Sequence, residues 1–385
     1  MEEWIRIKLS DCCESISDGD HMPPPKVSDG VPFITISNIK NNQVNLTDTF
    51  FVSQDYYEAL DEKRKPRKGD ILYTVVGTFG IPVYINADSR FIFQRHIAIL
   101  RPNDKVDSRF LYYCLLNPAF YRIADQLAIG AVQRTIGLKS LREQEIYIPK
   151  RLEEQRRIAD VLSSIDDKIA LNNRINHNLE EQAQALYKSW FVDFEPFKDG
   201  NFVNSELGLI PAGWHVGTLL DLVEVRYGKD HKSLNDGAIP VYGSGGLMRY
   251  AERALFEKES VLIPRKGTLN NVMYVSHPFW TVDTMFYTSE KVAHAIKYAH
   301  LFLLTLDLAS MNAGSAVPSM TTDILNKLVV LIPPQDVLDA FDVIVSALYS
   351  GMDVYLKESS SLSTTRDSLL PKLLSEHDDC AKMTC

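Results

Sequence analysis

The sequence is poor in cysteine: five among 385 residues, at positions 12, 13, 114, 380 and 385, odd in number and without a CxxC pair. Neither a disulfide framework nor a thiolate metal site fits that spacing, so reduced thiols are expected. No stretch approaches the roughly 18 consecutive apolar residues of a membrane helix. The opening MEEWIRIKLSD is charged where a secretory signal is apolar. These absences argue against a membrane protein and lead us to expect a cytoplasmic one. Catalytic signatures are missing as well: no GxxxxGK[ST] phosphate loop, no GxGxxG after a strand, no HExxH and no GxSxG elbow. The nine histidines are dispersed, so no triad and no metal site is expected. Asn117-Pro118-Ala119-Phe120 is similar to the loop that holds a flipped adenine in methyltransferases. It has Ala where the second Pro belongs and no glycine-rich loop upstream, and it reads as a helix-breaking turn.

Excess positive charge is also lacking, the formal net charge being -9. On its face this disfavours a nucleic-acid partner. The distribution weakens that objection. Residues 1–150 hold 19 basic and 19 acidic side chains, and residues 200–334 hold 11 and 12. The deficit lies in residues 151–199, with 7 against 10, and residues 335–385, with 4 against 9. The larger pieces are near neutral, and each can present a local basic face.

What the sequence does contain is a repeat. Trp4, Leu9, Asp11, Asp20 and His21 recur 210 positions later as Trp214, Leu219, Asp221, Asp230 and His231. KGDILYTVVGTFGIPVYI, from Lys68, aligns without gaps on KESVLIPRKGTLNNVMYV, from Lys258. Gly130, Leu141, Ile148 and Pro149 recur as Gly314, Leu325, Ile332 and Pro333. Three matches in sequential order point to a two-copy architecture. Within each copy, short β-like runs broken by Gly, Pro, Asn and Asp mix with one or two helical stretches, the pattern of a mixed α+β globule.

After each copy the pattern turns helical. Over residues 152–191 a heptad places Ile158, Ile165, Asn172, Leu179 and Leu186 at a, with Leu162, Ile169, Asn176, Ala183 and Trp190 at d. Over residues 336–374, Phe341, Leu348, Tyr355, Leu362 and Leu369 are spaced by seven, with Ile344, Val345 and Met352 between. At 1.5 Å per residue each helix would be roughly 55 to 60 Å long, too long for a small globule to cover, so the two should pair or bind a partner. Asn172 and Asn176 either fix the register of the apolar seam or mark a place where the helix turns them to water.

The polar loops carry the candidate contacts. In the first copy these are His21, Lys26, Asn38, Lys40, Asn41, Gln94, Arg95, Gln133 and Arg134, with the basic run KRKPRK at 63–68. The second copy contributes His231, Lys232, Ser244, Arg265, Lys266, Thr268, Asn270 and Asn271, with NAGSAVPS at 312–319. Asn, Gln and Arg can bond base edges bidentately, while Lys, Ser, Thr and glycine-rich backbone suit phosphates. The same residue types also populate ordinary turns.

Residues 148–196, IPKRLEEQRRIADVLSSIDDKIALNNRINHNLEEQAQALYKSWFVDFEP, resemble the central helical region of type I restriction-modification specificity subunits. SLSTTRDSLLPKLLS, at 361–375, is similar to the end of their second helical region, although that helix begins PPQDVLDAFD instead of with an EEQ-type start. The resemblance implies a target-recognition domain at 1–150, a central helix at 151–196, a second recognition domain at 197–334 and a second helix at 335–377. The two helices would pair as an antiparallel coiled coil with pseudo-two-fold symmetry. It further implies a subunit without catalytic activity or cofactor of its own. Such a subunit binds a bipartite target in double-stranded DNA beside two methyltransferase subunits and two restriction subunits. Those partners use S-adenosylmethionine, ATP and Mg. The residues alone leave a second class open: a scaffold whose helices bind protein and whose globules do not touch DNA.

Overall fold

The computed structural model describes residues 3–21, 24–47, 49–130, 134–311 and 319–375. The chain is mixed α/β and divides into two compact units, Met1–Leu171 with Glu358–Cys385, and Asn172–Lys357. The division falls within the two long helices, so each unit is one globule with part of each helix.

In the first unit, Trp4–Lys8 pairs antiparallel with Glu145–Pro149, joining the two ends of the globule's chain. A four-stranded antiparallel sheet has the order Cys13–Asp18, Ile97–Pro102, Ile71–Thr74, Pro82–Tyr84. Ile71–Thr74 is buried along its whole length, as its near-continuous apolar sequence requires. A second sheet sets Val31–Ile34 antiparallel to Phe50–Val52 and parallel to Ile92–Phe93. Helix Ser108–Leu116 covers the first sheet, and Leu9, Ile71, Tyr73, Leu100, Phe110 and Leu111 form one core. Cys12, Cys13 and Cys114 are buried free thiols.

The second unit repeats this plan in its closing strand pair, its four-stranded sheet and its three-stranded sheet. His215–Thr218 pairs with Val329–Ile332. The four-stranded sheet runs Val223–Tyr227, Met285–Glu290, Ser260–Pro264, Met273–Val275. Ile239–Gly243 again has one antiparallel partner, Gly246–Ala251, and one parallel partner, Trp280–Thr281. The alignment of 68–85 on 258–275 is the structural one: Leu72 lies against Ile99 and Val83, as Leu262 lies against Tyr287 and Met273. Gly77 and Gly267, aligned in sequence, both have positive φ, 74° and 88°, where glycine carries no Cβ penalty.

One expected match is out of register. In the first unit the pairing skips Glu14, passing from Arg101↔Ser15 to Pro102↔Cys13, a β-bulge. The corresponding ladder from Val223↔Glu290 to Tyr227↔Phe286 is unbroken. Beyond the bulge the offset is therefore 209, and Gly19 corresponds to Gly228. The Gly19 N–H donates to the Ile97 carbonyl and the Gly228 N–H to that of Met285. A Cβ at either position would meet a carbonyl oxygen at 2.0 Å, that of Phe93 or Val282. Asp20 thus corresponds to Lys229, and the expected pairs Asp20/Asp230 and His21/His231 are corrected by one residue.

The long helices span Leu152–Phe191 and Gln335–Leu373. Gln155, fully buried, pins the start of the first. Its side-chain oxygen accepts from the Asp107 N–H at 2.8 Å, and its nitrogen donates to the Pro149 carbonyl at 2.8 Å. Within the first unit, Ile158, Ala159 and Leu162 share a core with Leu370 and Leu374. Asp166 accepts from the Tyr113 hydroxyl at 2.7 Å and from Arg366 at 2.8 Å. Within the second unit, Ala183, Tyr187 and Phe191 pack with Phe341, Val345, Tyr349 and Met352. Lys297, 8% exposed, bridges Glu259 at 3.0 Å and Asp342 at 3.1 Å.

The heptad seam holds only in part. Ile165, Ile169, Leu179, Leu186, Leu348, Tyr355, Leu362 and Leu369 are half-buried, and Ile344 is exposed. Phe341, Val345, Tyr349 and Met352 instead follow a 3.6-residue period, since a straight helix drifts about 20° per heptad and the buried face follows the globule. Asn172 and Asn176 are buried, so the reading that turned them to water is excluded.

Candidate nucleic-acid interface

In each unit the same loops meet at one end of the four-stranded sheet. In the first, the Asp20 N–H donates to the Phe93 carbonyl at 2.8 Å, and the Arg95 N–H donates to the Asp20 carbonyl at 2.9 Å. The Val75 N–H donates to His96 and the Gly77 N–H to Arg134, both at 2.9 Å. Ile129 and Thr135 exchange two backbone bonds, and Thr135 also bridges to Val76. Loops 19–21, 75–80 and 94–96 are thus tied into one surface with residues 129–130 and 134–136.

Arg134 lies on that surface, its guanidinium 5.9 Å from the centre of the Phe79 ring. Phe79 stacks on Tyr121, and Asp125 pairs with Arg134 at 3.1 Å. Arg95 is exposed beside Gln94 and His96. Burial and the neighbouring Arg95 push the His96 imidazole below its ordinary range, which favours its neutral form.

The second unit places different chemistry on the same frame. The Lys229 N–H donates to the Thr281 carbonyl, Arg265 to that of Thr284, and Lys266 bridges to Ser319. Arg265 corresponds to Val75, Lys266 to Val76, and Asp283 to Arg95. The Arg265 guanidinium lies 5.5 Å from the centre of the Tyr227 ring. Lys266, Thr268, Lys229 and Asp283 are exposed. Both arginines therefore rest beside an aromatic ring, which limits their rotamers, and each also bonds the chain, Arg134 to Asp125 and Arg265 to the Asp283 carbonyl at 3.4 Å, which uses part of the five guanidinium donors.

Other expected contacts are placed less favourably. Asn38 is buried: its amide oxygen accepts the Thr35 N–H and hydroxyl at 2.9 Å each, capping a short helical turn. It belongs to the framework. Asn41 and Asn42 form the turn after Lys40 at φ 51° and 58°, and Asn42 donates to the Pro82 carbonyl. Lys26 sits 4.6 Å from the centre of the Phe50 ring. His21 pairs with Asp18 at 2.8 Å. Asn270 bonds Asp307 and the Ala309 N–H, and Asn271 donates to the Ser244 carbonyl, so both brace the turn they sit in. His231 is half-buried and Lys232 exposed. The run at 63–68 is locally neutralised, Lys65 and Arg67 pairing with Glu62, and Arg64 lying 3.7 Å from Asp18. Gln133 and residues 312–318 lie outside the described residues. Asn117 accepts from the Ala119 N–H and caps helix Pro118–Leu127, which makes the Asn-Pro-Ala-Phe segment a helix start.

Sequence reasoning named Lys229 only within the polar run GKDHK at 228–232 and missed Tyr227, Phe79 and Tyr121. Their signal was positional: Tyr227 and Lys229 flank Gly228, whose counterpart Gly19 became identifiable only with the bulge in place.

The profile described as the type I restriction modification DNA specificity domain matches residues 1–181 and 211–344. The chain is 30% identical to the type I restriction enzyme MjaIX specificity subunit of Methanocaldococcus jannaschii, covering 97% of this chain and 93% of that one. It is 22% identical to the HindI specificity subunit of Haemophilus influenzae, over 97% and 99%. In fold it is similar to the S subunit of a type I restriction-modification system from M. genitalium, with a TM-score of 0.60 at 21% identity over 97% of each chain. Two copies of one recognition scaffold, each closed by part of two long helices, and a profile match across most of the length agree: this chain belongs to the family of type I restriction-modification DNA specificity subunits.

Proposed function

We propose that the two units of this DNA-recognition subunit read different half-sites of one bipartite duplex target, each through the loops at the end of its four-stranded sheet. The observation that carries this is one backbone frame with unlike side chains: Val75 against Arg265, and Arg95 against Asp283. Equal backbone with unequal donors suits two unequal half-sites. The long helices pair antiparallel as a coiled coil and set the gap between half-sites. Contacts of each helix with the other inside each unit support that pairing. The chain itself is non-catalytic and cytoplasmic. It works in a complex with two methyltransferase and two restriction subunits, which use S-adenosylmethionine, ATP and Mg.

Exchanging residues 214–332 for the equivalent segment of a relative tests the proposal, with the methylated sequence read from the host genome. One half of the target should change and the other stay. A change in both halves would refute independent reading.

A further inference from the structure

In both units a four-residue turn leads into an interior strand of the four-stranded sheet, and its backbone is held in the same way. The Gln94 N–H donates to the Ile34 carbonyl and the Ile97 N–H to that of Gln94. The Val282 N–H donates to the Tyr242 carbonyl and the Met285 N–H to that of Val282, all four at 3.0 Å. The second residue of the turn is exposed in each unit, Arg95 in the first and Asp283 in the second. Aspartate is common in turns because its side chain can bond nearby backbone. Here that is not its use, since arginine fills the same corner of the same turn. The Asp283 main-chain carbonyl accepts from Arg265 Nη1 at 3.4 Å, but among the described residues nothing bonds or pairs with the carboxylate. Asp230, on the neighbouring loop, instead accepts the Lys232 N–H at 3.1 Å and serves its own turn.

The surroundings of Asp283 are basic. The Lys229 N–H donates to the Thr281 carbonyl, and those of Arg265 and Lys266 to the Thr284 carbonyl, while the side chains of Lys229 and Lys266 are exposed. On a surface that meets phosphates, a carboxylate among cations works against binding, because like charges brought together cost affinity. Only a donor facing it offsets that cost. The donors on the base edges of duplex DNA are the exocyclic amines, cytosine N4 and adenine N6 in the major groove and guanine N2 in the minor. The minor groove, about 6 Å wide against about 12 Å, would set the carboxylate between two rows of phosphates, which leaves the major-groove amines. The same carboxylate repels guanine O6 and thymine O4, so it discriminates by rejection as well.

We propose that Asp283 is a specificity-determining residue of the second unit, its carboxylate accepting from the exocyclic amine of one cytosine or adenine in the major groove. Arg95, at the same corner of the first unit, presents the opposite polarity, suited to guanine N7 and O6. The inference rests on the reading of these loops as the DNA-contacting surface.

Binding of the complex of this chain with its methyltransferase partner to duplexes carrying the target read from the host methylome tests it. Asp283→Ala should weaken binding to the target about 5- to 150-fold. It should also tighten binding to an unrelated duplex by up to about fivefold, because the lost charge repelled every phosphate. Deleting one amine at a time, with 2-pyrimidinone for cytosine or purine for adenine, should weaken the wild type to a similar degree at one base, whose identity names the amine. At that base Asp283→Ala should lose nothing more. Lys266→Ala tests the surface itself and should weaken every duplex alike, lowering the salt slope by about one. If it leaves binding unchanged, these loops do not contact DNA and the proposal falls with that reading. If Lys266→Ala behaves as stated but Asp283→Ala tightens all duplexes equally, or amine deletion costs wild type and variant alike at every base, the loops contact DNA and the role of Asp283 alone is refuted.

Discussion

Arg265 occupies in the second unit the backbone position that Val75 occupies in the first. The Arg265 N–H donates to Thr284 and its carbonyl accepts from Met320, as the Val75 N–H donates to His96 and its carbonyl accepts from Ile136, all at 2.9 Å. The backbone of this turn is therefore set by the sheet and the side chain is free to differ. A frame of this kind lets base preference diverge between the copies without refolding either.

The two arginines give the first prediction. If Arg134 or Arg265 reads a guanine, its replacement by Ala should weaken specific binding by about 1 to 3 kcal/mol and relax preference at one base position. Binding of the assembled complex to a set of single-base target variants checks this. Uniform weakening across the set would assign the residue to phosphate.

Gly19 and Gly228 test the repeat. A Cβ at either would lie 2.0 Å from a carbonyl oxygen, a clash the backbone must move to relieve. Gly228→Ala should destabilise the second unit by roughly 1 to 3 kcal/mol and impair reading of one half-site. Gly19→Ala should do the same to the other half. Urea unfolding and methylation of targets with one altered half-site would measure the two effects separately.

His300 gives a pH dependence. Burial lowers its pKa to about 4 from an ordinary 6.5, so the folded state keeps the ring neutral while the unfolded chain protonates it. The folded pKa is depressed, so this stability is present above pH 6.5 and is lost as pH falls from 6.5 towards 4. Over that window the loss should total about 3 kcal/mol. Urea unfolding of His300→Gln across pH 4 to 7 should show a shallower decline than the wild type. Equal slopes would show that another group carries it.

The helices provide the fourth. Four residues inserted into each long helix add about 6 Å, enough for one or two base pairs at ~3.4 Å each. Each added base pair also turns the second half-site by roughly 34 to 36°, so activity should survive at some insertion lengths and vanish at others. Methylome sequencing of the series decides the matter, since an active variant with an unchanged gap would show that the helices do not measure it.

Much of this architecture was legible without coordinates. The first long helix was expected at 152–191 and observed at Leu152–Phe191, because heptad spacing is a local signal. The match of 68–85 to 258–275 held because the strands are gapless and buried. Ile344 shows where locality failed. It was placed among the residues filling the helix face yet is 45% exposed, because the packed globule and not the heptad decides which side of the helix is covered.

The sequence by itself determined the two-copy order and the helices, since these rest on spacing along the chain, and the family was legible in the resemblance of residues 148–196 and 361–375 to type I specificity subunits. Tertiary structure decided which polar residues are available to a partner. Asn38 and Asn270 have the composition of a contact, but the folded chain spends their amides on its own backbone and side chains, while Arg134 and Arg265, set beside Phe79 and Tyr227, have five guanidinium donors each, more than their bonds to Asp125 and Asp283 use. Hydrogen-bond partners brought from distant positions make that distinction. The bulge at Glu14 is of the same kind, because a register is a relation between two strands and neither strand carries it alone.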